Sequence, residues 1–573
     1  MKGKNSLKSK IITSLKKHRY IALLIIVCLT GFLIRFLSVR NMELLSDEYF
    51  DIPIALAIKN SPNPFEYYSD FKSYQIEQMR FPFYLSAFFF YFLKSETISD
   101  LAFISRLISI IFSVLTIIVI YFFGKELKDE KAGILAATLL SISVYYIAFS
   151  RYAMTTGDSI FVFFYTLASF LFFKAINSNS EKLLFVSSIV TGIAIASKLF
   201  GIFLILTYSY FILKNKNIEK NKVGSSSKLV TVFGICILFL FAFNILINIR
   251  FITEKLNLYF ISAVLSVIYA IMLFKTRGIL NFYYRILNMS ILIVIFTFIF
   301  SPTHLSTFAI SKTFNWFSTW NSSELANSAI YDYVKILYIR LHFPANLLFL
   351  FGLASLAFRH NDKRACFLFL SFIVPFAALS LLKWKLTWHM MFLLPIIYLI
   401  VVDSVFLIQK FFEKRAGNIV LWIFVILLIF SETKVLLELH PYYELDGYQY
   451  GEKNIGYNKA SFLSVQKMPQ AVDFLVSNVP ENSSIGYFFM DYYASNVKTF
   501  QFLKSYAPKK RYEFILLTKD NINQENYDYA LVHFRARDFM KKVDKCTLFN
   551  TISHKTIDIY YIYRCKKEIK NLS

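Results

Sequence analysis

Four short strings hold residues able to do chemistry in a chain otherwise dominated by apolar side chains. SDEYFD sets Asp47 beside Glu48, SRYAMTTGDS holds Arg151 and Asp158, GIAIASKLFGIF holds Lys198, and LLKWKLTWHMMFLLP holds Lys383, Lys385 and His389. Arg80 and Arg106 flank a further apolar stretch, FPFYLSAFFFYFL. Carboxylates together with Arg and Lys are what transfer from a phosphorylated lipid needs. The acid deprotonates an attacking hydroxyl, and the cations stabilise charge growing on the departing phosphate. Each string also has a plainer reading. Adjacent acids on a loop are commonly just solvated, and lysines near helix ends lift their ammonium groups to the headgroups. Lys198 fits the plainer reading least well, because it interrupts a run that is otherwise apolar from Leu183 to Leu213. A lysine at mid-span costs about 2.5–3.5 kcal/mol. A hairpin that brings it to the membrane surface lowers that cost and turns it toward the other three strings.

The elements that must position these residues are membrane spans. Of 573 residues, 56% are hydrophobic and 17% charged, against roughly 25% charged in a soluble domain. A spanning helix needs about 20 apolar residues, and thirteen apolar runs are found between Tyr20–Leu37 and 418–437. Residues 1–19 form a basic tail with seven Lys and Arg and no acid, predicted to stay in the cytoplasm. The connections carrying KELKDEK, NSNSEK, KNKNIEKNK, KTRG, RHNDKR and QKFFEKR fall on the same side as that tail. The spacing therefore predicts a transmembrane domain over 20–437, with long outer loops at about 39–100 and 301–342, and an outer domain over 438–573. Phe81–Leu93 is too short to cross and is read as an interfacial or re-entrant helix in the first outer loop. The second outer loop holds Trp316, Trp320, Tyr331 and Tyr333, residue types that commonly anchor a chain at the interface.

The net charge of +25 has the same explanation. From Glu438 onward there are 19 Lys and Arg against 15 Asp and Glu, so nearly all the excess lies on the membrane part. It reads as positive-inside orientation rather than a nucleic-acid footprint. In the last domain SIGYFF, EFILL, DYALVHF and IDIYYIYR read as strands and MPQAVDFLVSNV as an amphipathic helix, giving an α/β domain. Cys546 and Cys565 both fall there, where an oxidising exterior permits a disulfide. No CxxC or HExxH string suggests a dedicated zinc site.

This order of features resembles the GT-C membrane glycosyltransferases, which use polyprenyl- or dolichyl-phosphate sugars. The features are a basic N-terminus, one span, an Asp-Glu pair, SRLISIIFSVLTIIVIYFFGKEL, SRYAMTTGD, a glycine-flanked lysine hairpin, many spans and an outer α/β tail. Protein O-mannosyltransferase-like enzymes and aminoarabinose transferases of lipid A are the nearest branches. The resemblance is detailed over residues 20–215 and architectural beyond. It implies that Asp47 is the catalytic base with Glu48 beside it, that Asp158 is the second acid, and that Arg106 and Lys198 match the family's arginine and lysine. Two strings depart from the family pattern. MRFPF, with Arg80 and Pro82, stands where relatives carry a His-Pro-Pro or Lys-Pro element, and WHMMFLLP, with His389 and Pro395, stands where relatives carry Arg-Tyr with prolines.

The expectation is thus a polytopic α-helical, GT-C-like membrane protein with about thirteen spans. It would move a sugar, with inversion, from a lipid-phosphate carrier to an acceptor hydroxyl of a protein, lipid or glycan on the outer face of the cell membrane. Arg80, Arg106, Lys198 and Lys385 would hold the donor phosphate, Arg151 and His389 would make further substrate contacts, and a divalent metal ion is compatible but not required. A flippase for a lipid-linked sugar and a non-enzymatic scaffold are the rival readings. The flippase is disfavoured because no inverted repeat or Gly/Pro-broken span stands out. An oligosaccharyltransferase subunit ranks low for want of a WWDYG-type string.

Overall fold

The computed structural model describes residues 2–37, 39, 48–60, 81–92, 98–152, 158–214, 225–246, 252–275, 282–301, 333–334, 337–338, 341–381, 387–439, 471, 474–475, 477–488, 513–517, 527–533, 546–554 and 557–565. Asp47, Arg80, Lys383, Lys385 and most of the second outer loop lie outside these residues. The chain divides into two compact units. One comprises Met1–Val39, Ile54–Lys94 and Phe103–Tyr443, the other Arg40–Pro53, Ser95–Ala102 and Glu444–Ser573.

The first unit is helical. Its elements are α1 (Lys2–Phe36), α2 (Glu48–Asn60, which begins in the second unit), α3 (Phe81–Phe90), α4 (Ile98–Leu127), α5 (Glu130–Ile142), α6 (Val144–Ser150), α7 (Asp158–Ser178), α8 (Glu181–Ser197) and α9 (Phe203–Lys214). They continue with α10 (Ser225–Leu246), α11 (Ile252–Lys275), α12 (Phe282–Phe300), α13 (Phe343–Phe358), α14 (Lys363–Ser380), α15 (Leu394–Lys410) and α16 (Lys414–Leu439). Each of the thirteen apolar runs falls on helix. By length and composition, seven helices among the described residues can cross a membrane, or eight if the bent pair α5–α6 counts as one span. That is fewer than the thirteen expected, because helices such as α9 (12 residues) and α13 (16 residues) stop short of the length a straight crossing needs.

Helix α3 has 10 residues, a rise of about 15 Å, half of what a crossing requires. Phe83 and Ala87 pack on Ile54 and Ile58 of α2, and Phe81 meets Phe164 of α7 and Phe300 of α12 edge-on at 5.8 and 5.0 Å. Its other face leaves Phe88 and Phe89 exposed, as an interfacial helix requires. Deeper in the unit an aromatic cluster joins α4, α7, α9 and α14, with Phe172 stacked on Tyr208 at 3.7 Å and Phe173 tilted against Phe367 at 5.0 Å. Offset and edge-on ring pairs add stability beyond their buried area.

Helices α5 and α6 meet at a 59° bend. The break falls at Ser143, with neither Gly nor Pro, which is why the sequence pattern reads straight through it. Ser143 ends α5 and starts α6, and its hydroxyl accepts from the Tyr146 amide at 3.4 Å.

The second unit holds a five-stranded sheet in the order β2-β1-β3-β5-β4, formed by β1 (Ser484–Phe488), β2 (Glu513–Leu517), β3 (Tyr529–His533), β4 (Cys546–His554) and β5 (Ile557–Cys565). β1 pairs in parallel with β2 and β3, while β5 runs antiparallel to both β3 and β4. Ile485, Tyr487, Leu531 and Ile562 share one face of the sheet and are fully buried, while Ala530 and Val532 on the opposite face of β3 are buried as well. Asp528 ties β3 to β1 by accepting from the Ser484 amide at 2.8 Å and hydroxyl at 3.0 Å. Cys546 and Cys565 stand opposite each other in the register and form a disulfide.

Candidate active site

Asp158 is the first residue of α7, where the helix dipole favours a carboxylate. Lys198 ends α8 in extended conformation, its amide still bonded to the Ala194 carbonyl at 2.9 Å. The two side chains form an ion pair between Lys198 Nζ and Asp158 Oδ1, 15% and 3% exposed respectively. The other oxygen, Asp158 Oδ2, is buried and accepts no hydrogen bond.

The glycines around Lys198 explain how the hairpin is built. A Cβ on Gly201 would lie 2.7 Å from the Ile195 amide nitrogen, so only glycine lets the turn after Lys198 fold back on the end of α8. A Cβ on Gly192 would lie 2.6 Å from the Ile293 carbonyl oxygen, so glycine also permits the close approach of α8 and α12. Phe200, between these glycines, lies 5.5 Å from the Lys198 ammonium and 5.2 Å, edge-on, from the His389 ring. His389 Nδ1 lies 3.3 Å from the Tyr333 hydroxyl. Phe392 closes the apolar side, with Phe161, Tyr165 and Phe200 at 5.1, 4.7 and 6.2 Å. Asp158, Lys198 and His389, about 230 residues apart in sequence at the extremes, are thus brought to one aromatic-walled cluster.

Arg106 and Arg151 are buried and reach the end of α1. Arg106 donates to the Val39 carbonyl at 3.0 Å, and Arg151 donates to the carbonyls of Arg35 at 3.2 Å and Leu37 at 2.7 Å. The Arg35 and Leu37 carbonyls are among those a helix C-terminus leaves without partners, and a guanidinium complements the dipole there. Glu48 begins α2 and is fully buried, in the second unit. Asp47, Arg80 and Lys385 lie outside the described residues, and no group of three or more His, Cys, Asp or Glu that could hold a metal gathers among those described.

Two buried charges escape a reading of the sequence alone. Arg35 lies within the first apolar run and donates to Ser150 Oγ, the Gly31 carbonyl and the Ser141 carbonyl, each at 2.9 Å. Glu432 lies within the last run and accepts from the Tyr398 hydroxyl at 3.2 Å and the Val144 amide at 3.3 Å, with His342 Nε2 at 3.6 Å. Their presence inside apolar runs is the available signal, since intramembrane charges are costly and rarely idle.

Residues 82–246 match the family described as dolichyl-phosphate-mannose-protein mannosyltransferase. The chain is 42% identical over 65 residues to the STT3B subunit of the dolichyl-diphosphooligosaccharide–protein glycosyltransferase of Arabidopsis thaliana, a match spanning 11% of this chain and 9% of that relative. Among solved structures, ArnT from Cupriavidus metallidurans in the apo state is 11% identical, covers 96% of this chain and 98% of its own, and has a TM-score of 0.52. The oligosaccharyltransferase AglB from Archaeoglobus fulgidus, solved with an inhibitory peptide and a dolichol-phosphate, is 15% identical, covers 91% of this chain and 70% of its own, and has a TM-score of 0.50. At these identities the likeness is one of fold, and it extends to the oligosaccharyltransferases that the missing WWDYG-type string ranked low. The chain is a multi-pass membrane protein whose fold is similar to those of ArnT and AglB.

Proposed function

We propose that the protein transfers a sugar from a polyprenyl- or dolichyl-phosphate carrier to an acceptor hydroxyl, with inversion at the anomeric carbon. The observation that carries this reading is the buried Asp158–Lys198 pair in a GT-C fold, with Asp158 Oδ2 left without a hydrogen bond. A phosphate arriving beside Lys198 competes with Asp158 for the ammonium, which is the electrostatic handle a departing lipid phosphate needs. The matched mannosyltransferase family and the dolichol-phosphate bound to AglB support a lipid-phosphate donor.

In this reading Asp47 takes the proton from the acceptor hydroxyl, with Glu48 beside it. Arg80 and Lys385 join Lys198 on the phosphate, and His389 contacts the sugar or acceptor. Arg106 and Arg151 act one step back, holding the end of α1 from which the Asp47 loop departs in sequence. The basic tail faces the cytoplasm of a cell membrane and residues 438–573 lie outside, where the tail domain helps select a protein, lipid or glycan acceptor.

Asp47→Asn tests the assignment. Transfer from a radiolabelled polyprenyl-phosphate sugar is expected to vanish while thermal stability is kept, and wild-type-like turnover in the variant would sink it. The break between α5 and α6 is the one observation that favours a flippase, because transporters bind cargo at discontinuous helices. Here, however, side chains of Arg35 and Glu432 occupy both broken ends. Reconstituted vesicles separate the readings, since lipid-sugar transport without a glycosidic product belongs to a flippase.

A further inference from the structure

The break at Ser143 leaves two sets of unmatched backbone groups inside the first unit. In a continuous helix the Leu140 and Ser141 carbonyls would accept from the amides four residues on, and the Val144 amide would bond backward. The 59° bend removes that geometry. Without water, each unmatched group costs several kcal/mol. The chain supplies a cation to one side and a carboxyl oxygen to the other. The Arg35 guanidinium, from α1, reaches the Ser141 carbonyl at 2.9 Å and, more distantly, the Leu140 carbonyl at 3.5 Å. The Glu432 carboxylate, from α16, accepts from the Val144 amide at 3.3 Å. The positive charge of Arg35 suits the C-terminal carbonyls of α5, and the Glu432 oxygen accepts from the first amide of α6.

Helix α6 ties the break to the chemistry. It is wholly buried and ends at Ser150, whose hydroxyl accepts from Arg35 Nε at 2.9 Å. The next residue, Arg151, grips the Arg35 and Leu37 carbonyls. The direction of α6 therefore fixes where Arg151 meets the end of α1. Beyond that end the sequence runs to Asp47, and beyond Arg151 it runs to Asp158. Glu432 also accepts from the Tyr398 hydroxyl on α15, and His342 Nε2, at the start of α13, lies 3.6 Å from it.

We propose that Glu432 is a positioning residue for the transfer reaction: by holding the Val144 amide at the break it sets the direction of α6, and with it Arg151, from which the chain runs on to Asp158 at the start of α7. The proposal rests on the glycosyl-transfer reading, and its test separates the two. Full-length protein in detergent is assayed with polyprenyl-phosphate mannose, and backbone amide exchange over residues 143–152 is followed by mass spectrometry. Glu432→Ala is expected to lower kcat at least tenfold with KM for the donor within threefold, and to speed exchange of these amides at least tenfold. Glu432→Gln keeps an oxygen for the Val144 amide and is expected to restore kcat to within about threefold of the native protein, whereas Glu432→Met, which fills a similar volume without that oxygen, is expected to behave like the alanine variant, a split that a general packing role would not produce. Should the alanine variant fail to fold, Glu432→Asp draws the carboxylate back by about one bond, 1.5 Å, and is expected to lower kcat at least threefold with KM unchanged. A truncated variant with native kcat, or a kcat loss with residues 143–152 still protected, overturns the proposal. If the native protein transfers no sugar, the reading of function has failed, and the exchange measurement still decides the role of Glu432 at the break.

Discussion

Removing the Lys198–Asp158 pair one partner at a time, and then together, should separate stability from activity. Two unit charges about 3 Å apart attract by about 5 kcal/mol at an effective dielectric of 20. Breaking a buried pair from one side costs about 3–5 kcal/mol, because the survivor stays buried and uncompensated. The two sides are unequal here. Lys198→Met strands a carboxylate only 3% exposed, whereas Asp158→Asn strands an ammonium that is 15% exposed and can reach water or a headgroup. Lys198→Met should therefore be the worse of the two, near the upper end of that range. The start of α7 returns about 1 kcal/mol to the stranded carboxylate. The double variant carries no charge and should lie within about 1 kcal/mol of the native protein, a coupling of about 3 kcal/mol or more. Unfolding in mixed micelles, followed by tryptophan fluorescence, measures the three values. Turnover should behave differently and fall about a hundredfold or more in both variants that lack Lys198, since the loss of a cation aimed at a departing phosphate costs about that much. Stability losses that simply add would refute the buried pair. A double variant that regains turnover along with stability would refute the role of Lys198 at the phosphate.

Other expectations concern the sheet. Replacing both Cys546 and Cys565 with serine should destabilise it by about 3 kcal/mol for a cross-link spanning 19 residues, read as faster amide exchange in β4; unchanged exchange would show that the disulfide adds nothing. Burial holds the Tyr527 phenol up to about 12 and pushes Tyr560 further still, against about 10 in an unfolded chain. Both folded values are raised, so their contribution is complete below pH about 10 and is lost as pH rises through about 12. A spectrophotometric titration in which every tyrosine ionises near 10 while the sheet persists would contradict this.

Much of the architecture was legible because its signals are local. Apolar runs, basic connections and the shortness of Phe81–Leu93 are local properties, and they locate the helices and the interfacial α3. The Lys198 hairpin was legible for the same reason, as a costly charge flanked by glycines. β4 was not, because CTLFNTISH alternates poorly and reads as loop. It lies at the sheet edge, where Leu548 and Phe549 are exposed and the pattern need not bury a face. The arginines mark a different limit. Sequence shows that Arg106 and Arg151 are charged and close to the membrane, but a phosphate and a helix-end carbonyl attract a guanidinium alike. Only the fold shows that the end of α1 reaches them. Glu432 and Arg35 went unread because a single charge hardly lowers the hydropathy of a long run, and their partners lie 288 and 106 residues away in sequence.

Those separations give the bent α5–α6 pair a history during synthesis. Arg35 leaves the ribosome before α5 is made, so the carbonyl side of the break finds its partner as soon as α5 enters the bilayer beside α1. The amide side has no such partner until α16 emerges, almost three hundred residues later. Through most of biogenesis the partner for the start of α6 must be borrowed from lipid headgroups, trapped water or an insertion factor. The arm that grips the end of α1 can lock only after the last span arrives. A chain halted before α16 would lack the partner of the Val144 amide, so the break is completed by the last helix of the membrane domain rather than by its own insertion.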